Sequence, residues 1–363
     1  MAKVQTKNLT IGMVVADNVY SKAGQLIVRK DSMLTRQMIA HLKYYFIPEI
    51  EILEGELPDE IKRALDNQKN LETTHLEKLL ASEEYKQFRK EYDTSVTFLE
   101  KSVNDIVKKN APIDSKKMIE ETVRLFDKEP SYYSLFGMLH SMKRIDDSTY
   151  AHSVNVAMIT RLIGGWCGFK GDELDKLTLA GLLHDIGKCQ IPDEILLTPR
   201  KLTKQEYEFV KMHAQFGYDI IKNQDLDLRI KQAVLSHHER CDGGGYPHGL
   251  TIDKLGDFEC IIAIADVYDA MTADRCYRSG LCPFEVISTF ESEGLQRYHP
   301  RYIMTFLEKI ASSYLNSSVL LTTGQTARVV YINKRLTRPI VQLKSGEFLN
   351  LLDYPDIYIQ SII

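Results

Sequence analysis

A histidine and an aspartate stand side by side in Leu182-Leu183-His184-Asp185-Ile186-Gly187-Lys188, at the end of an apolar stretch. A neutral imidazole beside a carboxylate can bind one metal ion while the carboxylate bridges to a second. The glycine can stop the helix, and the lysine brings a positive charge to the same end. Alone, so common a dipeptide reads as a surface pair. His152, in the small and apolar run Ala151–Ala157, and His213, in Lys211-Met212-His213-Ala214, each read alone as satisfied core histidines. His237-His238 precede Glu239-Arg240-Cys241-Asp242-Gly243-Gly244-Gly245-Tyr246-Pro247, a glycine-rich turn that lets both imidazoles face one cleft. Asp266 follows the apolar run Ile261–Ala265. A carboxylate in such a helix must be neutralised, hydrogen-bonded or metal-bound, because burying it unpaired is very costly. Taken jointly, five histidines and two aspartates on successive elements are the content of a two-metal site.

Helices must position these groups. Hydrophobic periodicity and Gly/Pro breaks predict helices over Ser148–Trp166, Asp172–Leu183, Lys204–Lys222, Leu226–His238, Lys254–Met271, Pro283–Glu293 and Arg301–Tyr314. The fold class expected is mainly α: a helical bundle over 131–315 with small β-containing modules at both ends. Residues 1–55 read as a small mixed α/β module, with β-like runs at Met13–Tyr20, Gln25–Val28 and Pro48–Leu53 and a helix near Thr35–Tyr45. Residues 56–130 are rich in Glu, Lys, Asp and Gln, with leucines and aromatics at helical spacing. They read as solvated helices acting as a linker or a dimerising arm, so a homodimer through 56–130 is expected. Residues 316–363 turn to strands at Gln325–Ile332, Pro339–Leu343 and Phe348–Leu352, with a hairpin turn at Lys344–Glu347.

Bulk properties narrow the class. The 363 residues exceed what one compact domain usually holds. A formal charge of −4 argues against general DNA binding, while leaving room for a basic pocket for one small anion. No apolar run is long enough to span a bilayer, and Met1–Thr10 lacks the core of a signal peptide. The six cysteines fall at irregular spacings without a CxxC pair, which suits a reduced, soluble, cytoplasmic protein. Eight of the ten histidines lie between His140 and His299, where the chemistry is concentrated.

The order His152, His184-Asp185, His213, His237-His238, Asp266 resembles the HD superfamily of metal-dependent phosphohydrolases. The HDIGK block and the complete His237–Pro247 block resemble its HD-GYP subfamily, as does Asp266–Thr272 followed by Arg275, Tyr277 and Arg278. The likeness covers about residues 131–315. It implies hydrolysis of cyclic di-GMP to pGpG and possibly GMP, with two divalent ions, iron or manganese. It implies that His152, His184, Asp185 and Asp266 hold one ion, and that Asp185 bridges to a second held by His213, His237 and His238. It implies phosphate contacts from Lys188, Arg275 and Arg278, with Tyr246 beside the ligand, and diguanylate cyclases or other signalling proteins as partners. On that reading bridged metals lower the pKa of a shared water toward ~7, and Lys188 stabilises charge or protonates the leaving oxygen. Two departures matter. Ser148 stands where some members carry a third-metal glutamate, with Asp147 one residue out of register, which favours two ions over three. Arg275-Cys276-Tyr277-Arg278 replaces the usual RPYR. Alternatives are another HD phosphohydrolase acting on nucleotides, a phosphodiesterase for another cyclic dinucleotide such as cyclic GMP-AMP, and a catalytically weak sensor of cyclic dinucleotides.

Overall fold

The computed structural model describes residues 2–9, 13–20, 26–28, 30, 34, 38–39, 42, 47–53, 82–126, 135–136, 138–139, 142, 148–196, 198, 200–273 and 280–363. Two compact units divide the chain, Met1–Thr73 and Thr74–Ile363. In the first, β1 (Ala2–Gln5) pairs antiparallel with β4 (Glu49–Ile52), and β2 (Val19–Tyr20) with β3 (Leu26–Val28). Glu49-Ile50-Glu51-Ile52 alternates exposed and buried, the period of a half-buried strand, and Ile50 and Ile52 join Val15, Val28, Leu34 and Leu42 in a small core. Of the β-like run Met13–Tyr20, only Val19–Tyr20 forms a ladder, with Val15 making an isolated bridge to Ile52. Most of the helix expected near Thr35–Tyr45 lies outside the described residues.

The second unit is mainly helical. Its helices are α1 (Glu83–Lys109), α2 (Ser115–Val123), α3 (Thr149–Trp166), α4 (Gly171–Leu183), α5 (Asp193–Leu196), α6 (Lys204–Lys211), α7 (His213–Ile221), α8 (Leu228–Ser236), α9 (Asp257–Thr272), α10 (Pro283–Thr289) and α11 (Pro300–Ser313). Helices α3 and α9 are buried on nearly every face, so they form the centre and the others wrap them. Glycine permits the close approach of α3 and α4: a Cβ on Gly181 would lie 2.9 Å from the Ala157 Cα. Helix α1 adds a polar link, with the Tyr92 hydroxyl donating to Asn155 Oδ1 at 2.7 Å.

Helix α1 differs from the solvated arm expected over 56–130. Tyr85, Phe88, Tyr92, Val96, Leu99, Val103 and Ile106 form one buried stripe in the same core as α3, α4 and α9. Its abundant charges occupy the outward face, and the inward stripe is what composition alone does not weigh. Of the expected arm, residues 56–81 and 127–130 lie outside the described residues.

At the other end, β5 (Ser318–Leu321), β6 (Thr326–Tyr331), β7 (Ile340–Leu343), β8 (Phe348–Asn350) and β9 (Ile359–Ile362) form an antiparallel sheet of order β8-β7-β6-β5-β9. Val319, Leu321, Val329, Val341 and Ile359 point into the core that the helices share. Sequence reading finds β6, β7 and β8 but not β5 or β9, although Gly324, at φ +80°, makes the turn that joins β5 to β6. Among the described residues no helix is long and apolar enough to cross a membrane.

Candidate metal centre

The central helices end at one place. Helix α4 stops at Leu183, and a 3-10 segment over Ile186–Gln190 follows, which turns His184 and Asp185 inward. Gly187 is required there: a Cβ would sit 1.9 Å from the His213 carbonyl oxygen and 2.4 Å from the Gly217 nitrogen. This contact presses the His184-Asp185 corner against the start of α7. The helix expected over Lys204–Lys222 is accordingly broken at Met212, and His213 opens α7. Helix α8 ends at Ser236 and delivers His237 and His238, while α9 carries Asp266 across from them.

The carboxylate of Asp185 lies at the middle, 2% exposed. Its two oxygens face different histidines. Oδ2 lies 3.2 Å from His184 Nε2 and 3.4 Å from His152 Nε2, whereas Oδ1 lies 3.3 Å from His213 Nε2 and 3.9 Å from His237 Nε2. Two clusters suited to a cation result: His152, His184 and Asp185, and Asp185, His213, His237 and His238. Asp266 reaches toward both, with Oδ1 3.2 Å from His152 Nε2 and Oδ2 3.7 Å from His238 Nδ1. All seven residues expected as metal ligands therefore converge.

The hydrogen bonds around the rings fix which nitrogen faces the centre. His184, His213 and His237 each point Nδ1 at the carbonyl three residues earlier, of Gly181, Val210 and Val234, at 2.8, 2.7 and 2.9 Å. A carbonyl can only accept, so Nδ1 carries the proton and Nε2 presents its lone pair inward. His152 uses a carboxylate instead, with Nδ1 2.7 Å from Asp269 Oδ2. The His184 Nε2 and Asp185 Oδ1 atoms are buried without a hydrogen-bond partner among the described residues. Buried polar atoms left in this state are costly, and a cation would satisfy both, so the donor set fits divalent metal ions with N and O ligands.

Protonation follows the same division. Burial alone depresses His152, but Asp185, Asp266 and Asp269 outweigh it and hold its pKa well above the usual histidine value. Burial and then the neighbouring His238 hold His237 well below that value, burial lowers His213, and burial pushes His238 down to about 3. Although burial opposes ionisation, neighbouring groups hold Asp185 and Asp266 well below the carboxylate range: His184 and Lys188 for the first, His152 and His238 for the second. The Lys188 Nζ lies 2.5 Å from Asp185 Oδ2.

The glycine-rich loop is clamped from below. Glu239, 2% exposed, accepts the backbone N–H groups of His248 at 2.6 Å and Leu250 at 2.9 Å. A Cβ on Gly245 would lie 2.4 Å from the Glu239 Cα, so this position needs glycine. The folded loop stacks the Tyr246 ring on His238, centroids 4.6 Å apart. Burial raises the Tyr246 pKa, which keeps the phenol protonated. Ser148 caps α3 by accepting from the Ala151 N–H, a structural use for the position where some members of the resembled subfamily carry a third-metal glutamate. Arg275, Cys276, Arg278 and Asp147 lie outside the described residues. Sequence reading assigned no role to Asp269 or Glu239. The signals were present: Asp269 lies one helical turn after Asp266 on a buried helix, and Glu239 directly follows two histidines.

The HD domain family model matches residues 141–302. Curated relatives include "Cyclic di-GMP phosphodiesterase PA4108" of Pseudomonas aeruginosa, 33% identical over 52% of this chain and 46% of its own. A "Cyclic di-GMP phosphodiesterase" of Thermotoga maritima is 32% identical over 53% of each chain, and "3'3'-cGAMP-specific phosphodiesterase 2" of Vibrio cholerae is 30% identical over 50% of this chain and 35% of its own. The chain thus spans about half the length, or less, of these relatives. Among solved structures, "Bd1817, a HDG"Y"P protein from Bdellovibrio bacteriovorus" matches the fold with a TM-score of 0.51, covering 84% of this chain and 97% of that one at 16% identity. An HD domain accordingly occupies residues 141–302 of this chain.

Proposed function

We propose that this protein is a metal-dependent phosphodiesterase that hydrolyses cyclic di-GMP to pGpG. The observation that carries the reading is the Asp185 carboxylate, each of whose oxygens faces its own set of histidine Nε2 atoms. In this reading His152, His184, Asp185 and Asp266 hold one divalent ion, and Asp185, His213, His237 and His238 hold another. Iron or manganese suits such imidazole and carboxylate donors. When bound, the ions supply a water of lowered pKa and neutralise charge on the non-bridging phosphate oxygens. The protein's own groups do the rest. Lys188 stands beside Asp185 and carries an ammonium toward the position of a reacting phosphate, where it stabilises growing charge or gives a proton to the leaving oxygen. Tyr246, protonated and stacked on His238, forms a wall for the ligand. Arg275 and Arg278 complete the phosphate contacts as forked donors.

The substrate rests on the cyclic di-GMP phosphodiesterases among the relatives and on the His237–Pro247 block. A second reading, hydrolysis of 3'3'-cyclic GMP-AMP, is supported by the Vibrio cholerae relative. Free thiols at Cys167, Cys189, Cys241, Cys260 and Cys282 support a reducing, cytoplasmic setting. A homodimer through 56–130 would use the outward face of α1, whose inward face is in its own core. Initial rates for cyclic di-GMP, 3'3'-cyclic GMP-AMP and deoxynucleoside triphosphates on the metal-reconstituted protein test the proposal. Cyclic di-GMP should be cleaved fastest, and equal turnover of deoxynucleotides would move the protein to another branch of the superfamily.

A further inference from the structure

Beside the metal centre lie Tyr207, Glu208 and Lys211, which the chemistry above does not use. Helix α6 ends at Lys211, two residues before His213, and the Val210 carbonyl that orients His213 belongs to its last turn. The Lys211 ammonium lies 5.5 Å from the centroid of the Tyr246 ring and 5.6 Å from that of Tyr207. Glu208 Oε2 holds it at 2.6 Å. Tyr246 in turn stacks on His238. The chain of contacts therefore runs from Tyr207, 52% exposed, through Lys211 and Tyr246 to the metal ligands.

We infer that Lys211 and Tyr207 form a guanine-reading subsite that fixes one base of the substrate while its phosphate sits at the metals; this rests on the phosphodiesterase reading. A lysine ammonium has three donors and Glu208 takes one, which leaves donors for a second partner. Guanine offers two acceptors, O6 and N7, on a single edge, whereas adenine replaces O6 with an amino donor that opposes an ammonium. The exposed Tyr207 ring beside that ammonium supplies a platform on which a purine can stack. Glu208 and the flanking rings keep the ammonium from swinging into solvent, so the reading group is set before the ligand arrives. The alternative is that Lys211 is only a cation at the C-terminus of α6, favourable to the helix dipole and paired with Glu208 one turn earlier.

The test uses the full-length, metal-loaded protein and its Lys211→Met, Lys211→Arg and Tyr207→Ala variants, with metal content measured for each. Three substrates are compared: cyclic di-GMP, cyclic di-AMP and 3'3'-cyclic GMP-AMP. The wild type should prefer cyclic di-GMP over cyclic di-AMP. It should open the mixed dinucleotide at a single phosphodiester bond, because the lone guanine goes to Lys211. Lys211→Met should keep its metal, lose about five- to a hundred-fold of the preference for cyclic di-GMP, and give both linear isomers from the mixed substrate. Lys211→Arg, whose fork also matches O6 and N7, should restore the preference. Tyr207→Ala should lower kcat/KM for all three by about five-fold or more without changing which bond breaks. An unchanged preference and an unchanged isomer in Lys211→Met would overturn the subsite and leave the hydrolase reading standing. Failure of the metal-loaded wild type to cleave any cyclic dinucleotide would overturn both.

Discussion

Replacing Asp269 with asparagine isolates one electrostatic contact of the metal centre. The amide oxygen of the asparagine can still accept from His152 Nδ1, so the ring keeps its orientation while a buried negative charge disappears. That charge is 2.7 Å from Nδ1 and 2% exposed, and it makes Nε2 a stronger donor to an ion. Loss of such a carboxylate behind a histidine ligand costs about 10- to 100-fold in metal affinity. The effect has a pH signature. His152 has its pKa raised, with Asp269 among the causes, so in the wild type a proton competes with the metal for this nitrogen. Removing Asp269 weakens the metal but also relieves part of that competition. The affinity gap between wild type and Asp269→Asn should be widest at alkaline pH, where His152 is neutral in both, and should narrow as the pH falls. Titration of metal-free protein with Mn(II), followed by calorimetry at about pH 6.5 and about pH 9, measures it. Loss should be confined to one of the two binding events. Equal affinities within two-fold at the higher pH would refute the argument that Asp269 tunes His152.

Other outcomes follow from the same geometry. Lys188→Ala should retain metal and fold yet lose on the order of 10²-fold in turnover, with KM less affected; near-normal turnover with a slightly lower Tm would make Lys188 a helix-end cation only. Gly187→Ala drives a Cβ into the His213 carbonyl and should cost about 3 kcal/mol of stability and one ion, read by denaturant unfolding and metal analysis. Acid should remove the two ions in order: His152 holds a proton that must leave before metal binds, so its ion weakens as the pH falls, whereas His213, His237 and His238, with lowered pKa values, stay neutral ligands. Dialysis at about pH 5.5 should leave one ion in the wild type and none in His213→Ala; simultaneous loss of both ions in the wild type would contradict the division.

The seven residues that converge around Asp185 were legible as a cluster because metal chemistry restricts residue type: five histidines and two aspartates in a definite order leave few other uses. Helices α3, α4, α9 and α11 were legible from periodicity, which places the starts of α3, α4 and α11 within a residue and that of α9 three residues early. What periodicity cannot show is a tertiary contact that overrides it. The break at Met212 interrupts a continuous helical pattern because His213 must turn its Nδ1 back to Val210 while Gly187 packs on its carbonyl. Charge dominates the composition of helix α1 and suggests a solvated arm, while one apolar stripe decides where it packs. Asp269 escaped for a related reason: an acid behind a ligand matters through the ring it holds, and no spacing rule names that ring.

The central claim is that two ions flanking Asp185 act together on cyclic di-GMP. Formation of pGpG, followed by chromatography while metal-free protein receives Mn(II) or anaerobic Fe(II) in fractions of an equivalent, tests it most directly. Turnover should stay low through the first equivalent per chain, climb with the second and level off at about two, the number of ligand clusters that share Asp185. Full activity at one equivalent, or no pGpG at any loading, would contradict the account.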